Sequence, residues 1–256
     1  RAHRYLAPTI FLGLITLILT FSRSAWFGFL LGFGYLALYV KRDRRVWLAS
    51  GLAVIVLVGY LLYAGIAVSH LIDTPSQTLP ERFFEAFSYD RWRAEYYGLG
   101  RFFWIVETVR TVVPAAPLFG WGPGQYGGGA VFGLHNTTTY DRLHLPFGAF
   151  GTDGYIDNSW FSLWGESGTF GLIFFIWMYA ILWRTAHQLG TRSHDAFSRA
   201  LGLGVGAAFL AVAVNAFLGL VFEIRSLAAY LWIFAAFVVV LVQREKLTLN
   251  SEAKPH

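Results

Sequence analysis

Apolar runs at residues 5–21, 25–40, 46–68, 159–183, 200–221 and 226–242 set the limits on what this chain can become. A hydrocarbon core about 30 Å thick needs roughly 20 helical residues, so runs of this length read as membrane spans. Composition agrees, with 56% of residues hydrophobic and 14% charged, which excludes an ordinary water-soluble domain of this size. The first, second and sixth runs have only 16 or 17 residues, so their ends are expected in the headgroup zone or beside a locally thinned bilayer. The expected fold is an all-α integral membrane protein with about six transmembrane helices and a large, partly helical external loop.

Between the first two runs, "TFSRSA" at 20–25 places Arg23 among apolar residues. One helix through both runs would be too long for a bilayer and would hold the guanidinium near its midplane, at a cost of several kcal/mol. A turn at 22–24 avoids that and brings Arg23 to a membrane surface. The basic segments "KRDRR" at 41–45, Arg184, Arg192, Arg199 and "QREK" at 243–246 belong in the cytoplasm. One path satisfies them, with outward excursions at 22–24, 69–158 and 223–226. It gives helices in 1–68, an external loop at 69–158, helices in 159–242 and a cytoplasmic tail at 243–256. The net charge of +5 then reflects topology, and no nucleic-acid partner is expected. Cysteine is absent, which excludes disulfides and thiol chemistry. The only methionine is Met178, so the chain is expected to be the C-terminal part of a longer protein.

The excursion at 69–158 is far longer than an ordinary connection, and such loops are normally functional. Its first part fits amphipathic helices interrupted near Gly98 and Gly100, with Trp92, Tyr96 and Trp104 at headgroup depth. Next, "PAAPLFGWGPGQYGGGAVFG" at 114–133 mixes Pro and Gly too densely for regular structure. Its backbone N–H groups, including those of Gly122 and Gly124, can approach an anion or a sugar. Nucleotide fingerprints are missing. At the start of the fourth run, Asp157 and Asn158 both suit a helix N-cap. Glu166, nine residues beyond Asp157, would lie about 13 Å deeper on a continuous helix and would need a partner or a wet cavity. Gly165, Gly168 and Gly171 suggest a narrow helix face for close packing.

Taken together, three blocks resemble the O-antigen ligase and polymerase superfamily of bacterial membrane proteins. "LTFSRSAWFGFLLG" is similar to that family's T-x-S-R turn between two helices. "GRFFWIVETVRTVVPAAPLFGWGPGQYG" is similar to its Arg/Trp segment followed by P-L-x-G-x-G-x-G. "DNSWFSLWGESGTFGLIFFIW" is similar to its [HD]-N-x-[YW] helix start with a later E-x-G-x-x-G-L. Asp157 stands where ligases typically carry histidine, which favours polymerase-like members over lipopolysaccharide ligases. His135 and Asn136 repeat the His-Asn pair without the helix that should follow.

The resemblance implies a metal-independent, inverting glycosyltransferase without cofactors in the bacterial inner membrane. Its donor would be a glycan linked through pyrophosphate to a polyprenol, its acceptor a glycan or lipid hydroxyl, and the lipid bilayer its surroundings. Guanidinium suits the departing pyrophosphate because its planar fork donates paired hydrogen bonds. Arg23, Arg101 and Arg225 are the candidates, although Arg23 and Arg225 also fit snorkelling surface arginines. Asp157 is the first choice for a general base, by its match to the family histidine. Asn158, Glu166, Gly122, Gly124 and Trp104 are candidate substrate contacts, and Glu166 or Glu223 can instead orient an arginine. No acidic or His-rich cluster on the external side suggests a metal. A lipid-linked glycan transporter or flippase, or a non-catalytic membrane subunit, is the alternative reading.

The topology is directly testable in a cysteine-free chain. Cysteines replacing Ser24 and Gly128 are expected to react with an impermeant reagent in intact cells, and those replacing Arg44 and Arg192 to stay protected. Labelling of Arg44→Cys from outside would reverse the orientation.

Overall fold

The computed structural model describes residues 3–20, 22–39, 93, 96–147 and 156–252, so the expected span at 46–68 lies outside the described residues. Two apolar helices come first, α1 (His3–Leu19) and α2 (Arg23–Tyr39). They are separate, as the charge of Arg23 requires. The turn is stitched by the Trp26 indole, which donates to the Leu17 carbonyl at 2.9 Å, and by the Ser22 hydroxyl, which accepts from Ala25 N at 3.4 Å. Arg23 is the first residue of α2.

The loop contributes α3 (Arg101–Glu107), which widens into one π turn at Thr108–Val112 and closes with Val113–Ala115, followed by α4 (Gly128–Leu134) and α5 (Thr138–Arg142). Leu99, at φ 56°, interrupts the chain just before α3, inside the break expected near Gly98 and Gly100. Three long helices complete the described chain: α6 (Ser159–Arg192), α7 (Ala196–Asn215) and α8 (Arg225–Glu252). Each of these three includes a stretch long and apolar enough to cross a membrane. At 17 residues each, α1 and α2 reach about 26 Å, short of the hydrocarbon thickness.

Helix α7 packs between α2 and α6, and α8 closes against α6 and α7. The α6–α7 seam is aromatic, with Trp160, Phe175, Tyr179, Phe209 and Phe222 in mutual ring contact. Its polar tips are satisfied by backbone: Tyr179 OH donates to Phe209 O at 2.6 Å and Trp160 Nε1 to Ala213 O at 2.9 Å. On the other side of α7, Gly28 faces Ala211 and Asn215, Gly32 faces Ala207, and Gly206 faces Tyr35. Both partners therefore run antiparallel to α7. The starts of α2 and α6 meet the end of α7 at one end of the bundle, and the short 216–224 connection starts α8 there too. Arg184, Arg192, Arg199 and Arg244 lie toward the opposite end.

The fifth run was expected to continue to 221, but α7 stops at Asn215. Residues before and at the start of α6 take over the carbonyls beyond that point: Ser159 N donates to Ala216 O at 2.9 Å and to Gly219 O at 3.2 Å, and Asn158 Nδ2 to Phe217 O at 2.6 Å. The connection to α8 is accordingly longer than the expected 223–226.

A second departure governs the site. Helix α6 is broken at Gly168, with φ 68° and ψ −173°. The freed groups are met by the loop. Thr169 N donates to Pro117 O at 2.9 Å and Phe170 N to Leu118 O at 3.2 Å, while the carbonyls of Gly165 and Glu166 accept from Trp121 N at 3.0 Å and Gly122 N at 2.8 Å. Two of the three glycines expected to form a helix-packing face, Gly165 and Gly168, thus receive the loop instead, with Gly165 making room for the Tyr126 ring, while Gly171 faces Ser167 of its own helix.

At Gly168 a Cβ would lie 2.4 Å from the Leu118 carbonyl oxygen, in a backbone region that only glycine adopts readily. Gly168→Ala is expected to destabilise the protein by at least about 1–3 kcal/mol, seen as a lowered thermal unfolding midpoint in detergent.

Candidate functional site

Arg101 opens α3 and Asp157 lies two residues before α6, and their side chains meet. Arg101 Nε donates to Asp157 Oδ2 at 3.2 Å and Nη2 donates to the same oxygen. The pair is partly open to solvent, with side-chain exposures of 38% and 43%. Such a pair contributes roughly 0–1 kcal/mol to stability. Its structural effect is to fix where the guanidinium and the carboxylate sit. Among the described residues, Oδ1 of Asp157 accepts no hydrogen bond.

The choice of N-cap falls on Asn158. Its Oδ1 accepts from Trp160 N and Phe161 N, both at 3.1 Å, and the side chain is fully buried. Asp157 is thereby released from capping. Ser159 extends the same joint: its hydroxyl donates to Gly219 O at 2.9 Å and accepts from Phe222 N at 3.2 Å. The start of α6 and the connection before α8 behave as one unit.

Glu166 does have a partner, and the partner is the glycine-rich loop. Its Oε1 accepts from Gly124 N at 2.6 Å and Gly127 N at 2.9 Å. The anion that this loop meets is therefore the protein's own carboxylate, and the N–H of Gly122 is engaged by the Glu166 carbonyl. Glu223 repeats the arrangement, with Oε2 accepting from Gly129 N at 2.6 Å and Oε1 from the Ser162 hydroxyl at 3.1 Å. What these two carboxylates orient is the loop.

Trp104 was expected at headgroup depth, but it is 1% exposed, with its indole donating to Leu99 O at 3.0 Å and its ring against Phe103 and Tyr140. It packs the loop's own core of Val112, Tyr126, Val131, Tyr140 and Ile156. Sequence reading missed the two tyrosines of this core. The Thr108 hydroxyl donates to Trp104 O at 2.6 Å, so the Tyr126 hydroxyl at 2.6 Å must donate to Thr108. Tyr140 in turn donates to Tyr126 O at 2.8 Å. Burial pushes both phenols well above their ordinary range, so they stay neutral donors. Asn136 braces the loop from outside, donating to Gly124 O at 3.0 Å, and His135 ends α4 in a left-handed conformation.

Arg23 and Arg225, as the first residues of α2 and α8, stand at the same end of the bundle as the Arg101–Asp157 pair. No group of three or more metal-binding side chains occurs among the described residues.

Three helices long and apolar enough to cross a membrane, with a loop seated over one end, give the architecture of a polytopic helical membrane protein. Residues 8–176 match the family model described as O-antigen ligase. The chain belongs to that family, and with it to the membrane proteins that handle glycans as ligases or polymerases. No curated protein and no solved structure matches it.

The cap assignment is checked by stability. Asn158→Ala removes the cap and leaves the Phe217 carbonyl without its donor, and is expected to cost about 2–4 kcal/mol. Asp157→Ala is expected to cost less than about 1 kcal/mol. Thermal unfolding of both variants in detergent measures the difference.

Proposed function

We propose that this chain is the catalytic part of a glycosyltransferase that moves or polymerises a polyprenyl-pyrophosphate-linked glycan at the outer face of the bacterial inner membrane. In this reading six helices span the membrane, residues 69–158 lie outside and residues 243–256 inside. The observation that carries it is the Arg101–Asp157 pair at the bundle end where Arg23 and Arg225 begin α2 and α8. Arginines at that end would suit a pyrophosphate, and the positive ends of the α2, α6 and α8 backbone dipoles add to the same field. The four arginines toward the opposite end fit the cytoplasmic side.

In the reaction, the acceptor hydroxyl oxygen bonds to the anomeric carbon of the donor while the bond from that carbon to the pyrophosphate oxygen breaks. The electron pair leaves with the lipid pyrophosphate, where arginine donors stabilise the added charge. The hydroxyl proton passes to Asp157, whose Oδ1 accepts no hydrogen bond among the described residues. Attack opposite the leaving group inverts the anomeric centre. Arg101 has a double duty, holding Asp157 in place and contributing its charge. Asn158, Glu166, Gly122, Gly124 and Trp104 act by position: Glu166, Gly122 and Gly124 hold α6 to the loop, Asn158 holds α6 to the connection before α8, and Trp104 packs the loop's own core.

Two substitutions in full-length, membrane-embedded protein test this. Asp157→Asn keeps the size and most polar contacts but cannot take the proton, so transfer from a lipid-linked donor is expected to fall roughly 100-fold or more at normal folded yield. Arg23→Lys keeps the charge but loses the fork, and is expected to fall on the order of 100-fold, close to Arg23→Ala. Undiminished transfer in both variants would end the catalytic reading and return the chain to the transporter or subunit classes.

A further inference from the structure

The loop carries, at 117–121, a turn with an apolar tip that the proposed glycosyl transfer does not use. Leu118 is 52% and Phe119 76% exposed. The turn does not project into open space. Its carbonyls at Pro117 and Leu118 bind the N–H groups of Thr169 and Phe170, which pins it against α6, and the Phe119 ring lies 5.8 Å from that of Phe170. Phe170 heads a stripe of exposed residues on α6, continued by Ile173, Phe174 and Trp177. Their spacing puts all four on one helix face. On a helix long and apolar enough to cross a membrane, that face meets lipid.

We propose that the 117–121 turn is a lipid-inserted wedge, with Leu118 and Phe119 embedded among acyl chains of the leaflet on the site's side. Lipid is the occupant because the tip continues the α6 stripe without a polar gap. Residues 111–140 contain no Asp, Glu, Lys or Arg, so no charged side chain has to leave water with the tip. Irregular backbone survives at membrane depth only if its polar groups are paired within the protein. On the side toward α6 they are: Gly120 N donates to Ala116 O at 3.1 Å, Trp121 N and Gly122 N serve α6, and the Trp121 indole donates to Val112 O at 3.1 Å. The N–H groups of Leu118 and Phe119 have no such partner among the described residues, so it is the two side chains that enter the acyl chains while the tip's backbone stays at headgroup level. The Arg142 guanidinium stacks over the Trp121 ring at 5.3 Å. That places a charge just behind the tip, where the apolar zone should end.

The proposal depends on α6 crossing the membrane and is independent of the transfer chemistry. Its test uses the absence of cysteine from these 256 residues, any cysteine elsewhere in the full-length protein being first replaced by serine. Full-length protein carrying Phe119→Cys or Leu118→Cys is labelled with a nitroxide and reconstituted into phosphatidylethanolamine and phosphatidylglycerol vesicles. Collision of the label with oxygen, which partitions into lipid, is compared with collision with the water-soluble complex NiEDDA. Both labels are expected to favour oxygen, with a ratio near that of a Phe174→Cys label and several-fold above that of an Asp141→Cys label. A ratio like that of Asp141→Cys would overturn the wedge. Shielding from both reagents would also overturn it, since protein, either a second copy or another segment of this chain such as 46–68, would then cover the tip. Both side chains are exposed, so folding is expected to survive; should one variant fail, the other decides.

Discussion

The hydrogen-bond ladder of α6 is interrupted at Gly168, and the way the interruption is healed determines the rest of the site. A broken helix beside lipid leaves N–H and C=O groups with no water to turn to, and each unmet group costs several kcal/mol. The Pro117 to Gly122 backbone meets four of them, and Glu166, two residues before the break, adds a carboxylate that grips the same loop farther along. The loop is therefore seated by the membrane helix and not merely tethered to its end. Everything that the loop presents, Arg101 included, inherits that seating.

A second joint lies at the start of α6, where Asn158 and Ser159 tie the helix to the connection before α8. Directly before this second joint stands Asp157, whose half-open pair with Arg101 adjoins buried hydrogen bonds. Buried contacts supply the rigidity, and the Arg101–Asp157 pair is left half open to solvent. This division fits a family that handles charged, lipid-linked glycans: the anionic end of such a molecule arrives at the membrane surface, where fixed cations need not be desolvated to meet it.

Much of the architecture was legible in the sequence. Apolar run lengths indicate membrane helices, and Arg23 between two such runs predicts the turn that separates α1 from α2. The break before α3 is marked by its glycines, and the pair Asp157-Asn158 announces a helix start. Other features escape any local reading. Gly168 sits at a spacing typical of packed helices, and only the remote residues 117–122 make it a break. Glu166 read as a deep, needy carboxylate for the same reason. The end of α7 is set by donors more than fifty residues away, and Trp104 was assigned to the interface because its burial depends on Tyr140, which the local pattern does not connect to it. Of the site, residue types were readable; which of them touch substrate and which hold the frame depends on tertiary pairing.

The π turn at Thr108–Val112 makes this segment unusually sensitive to length. A wide turn accommodates one residue more than a regular helix would, and each residue turns a helix by about 100°. Here the turn separates Arg101, which must face Asp157, from Val112 and Val113, which are locked in the loop core. Loss of one residue would let the backbone relax into an ordinary helix and swing the Arg101 face away from α6. Exchange of an exposed side chain such as Val109 leaves that phase intact. Across relatives, this stretch should drift in composition while keeping its residue count, which makes it a ruler as much as a helix.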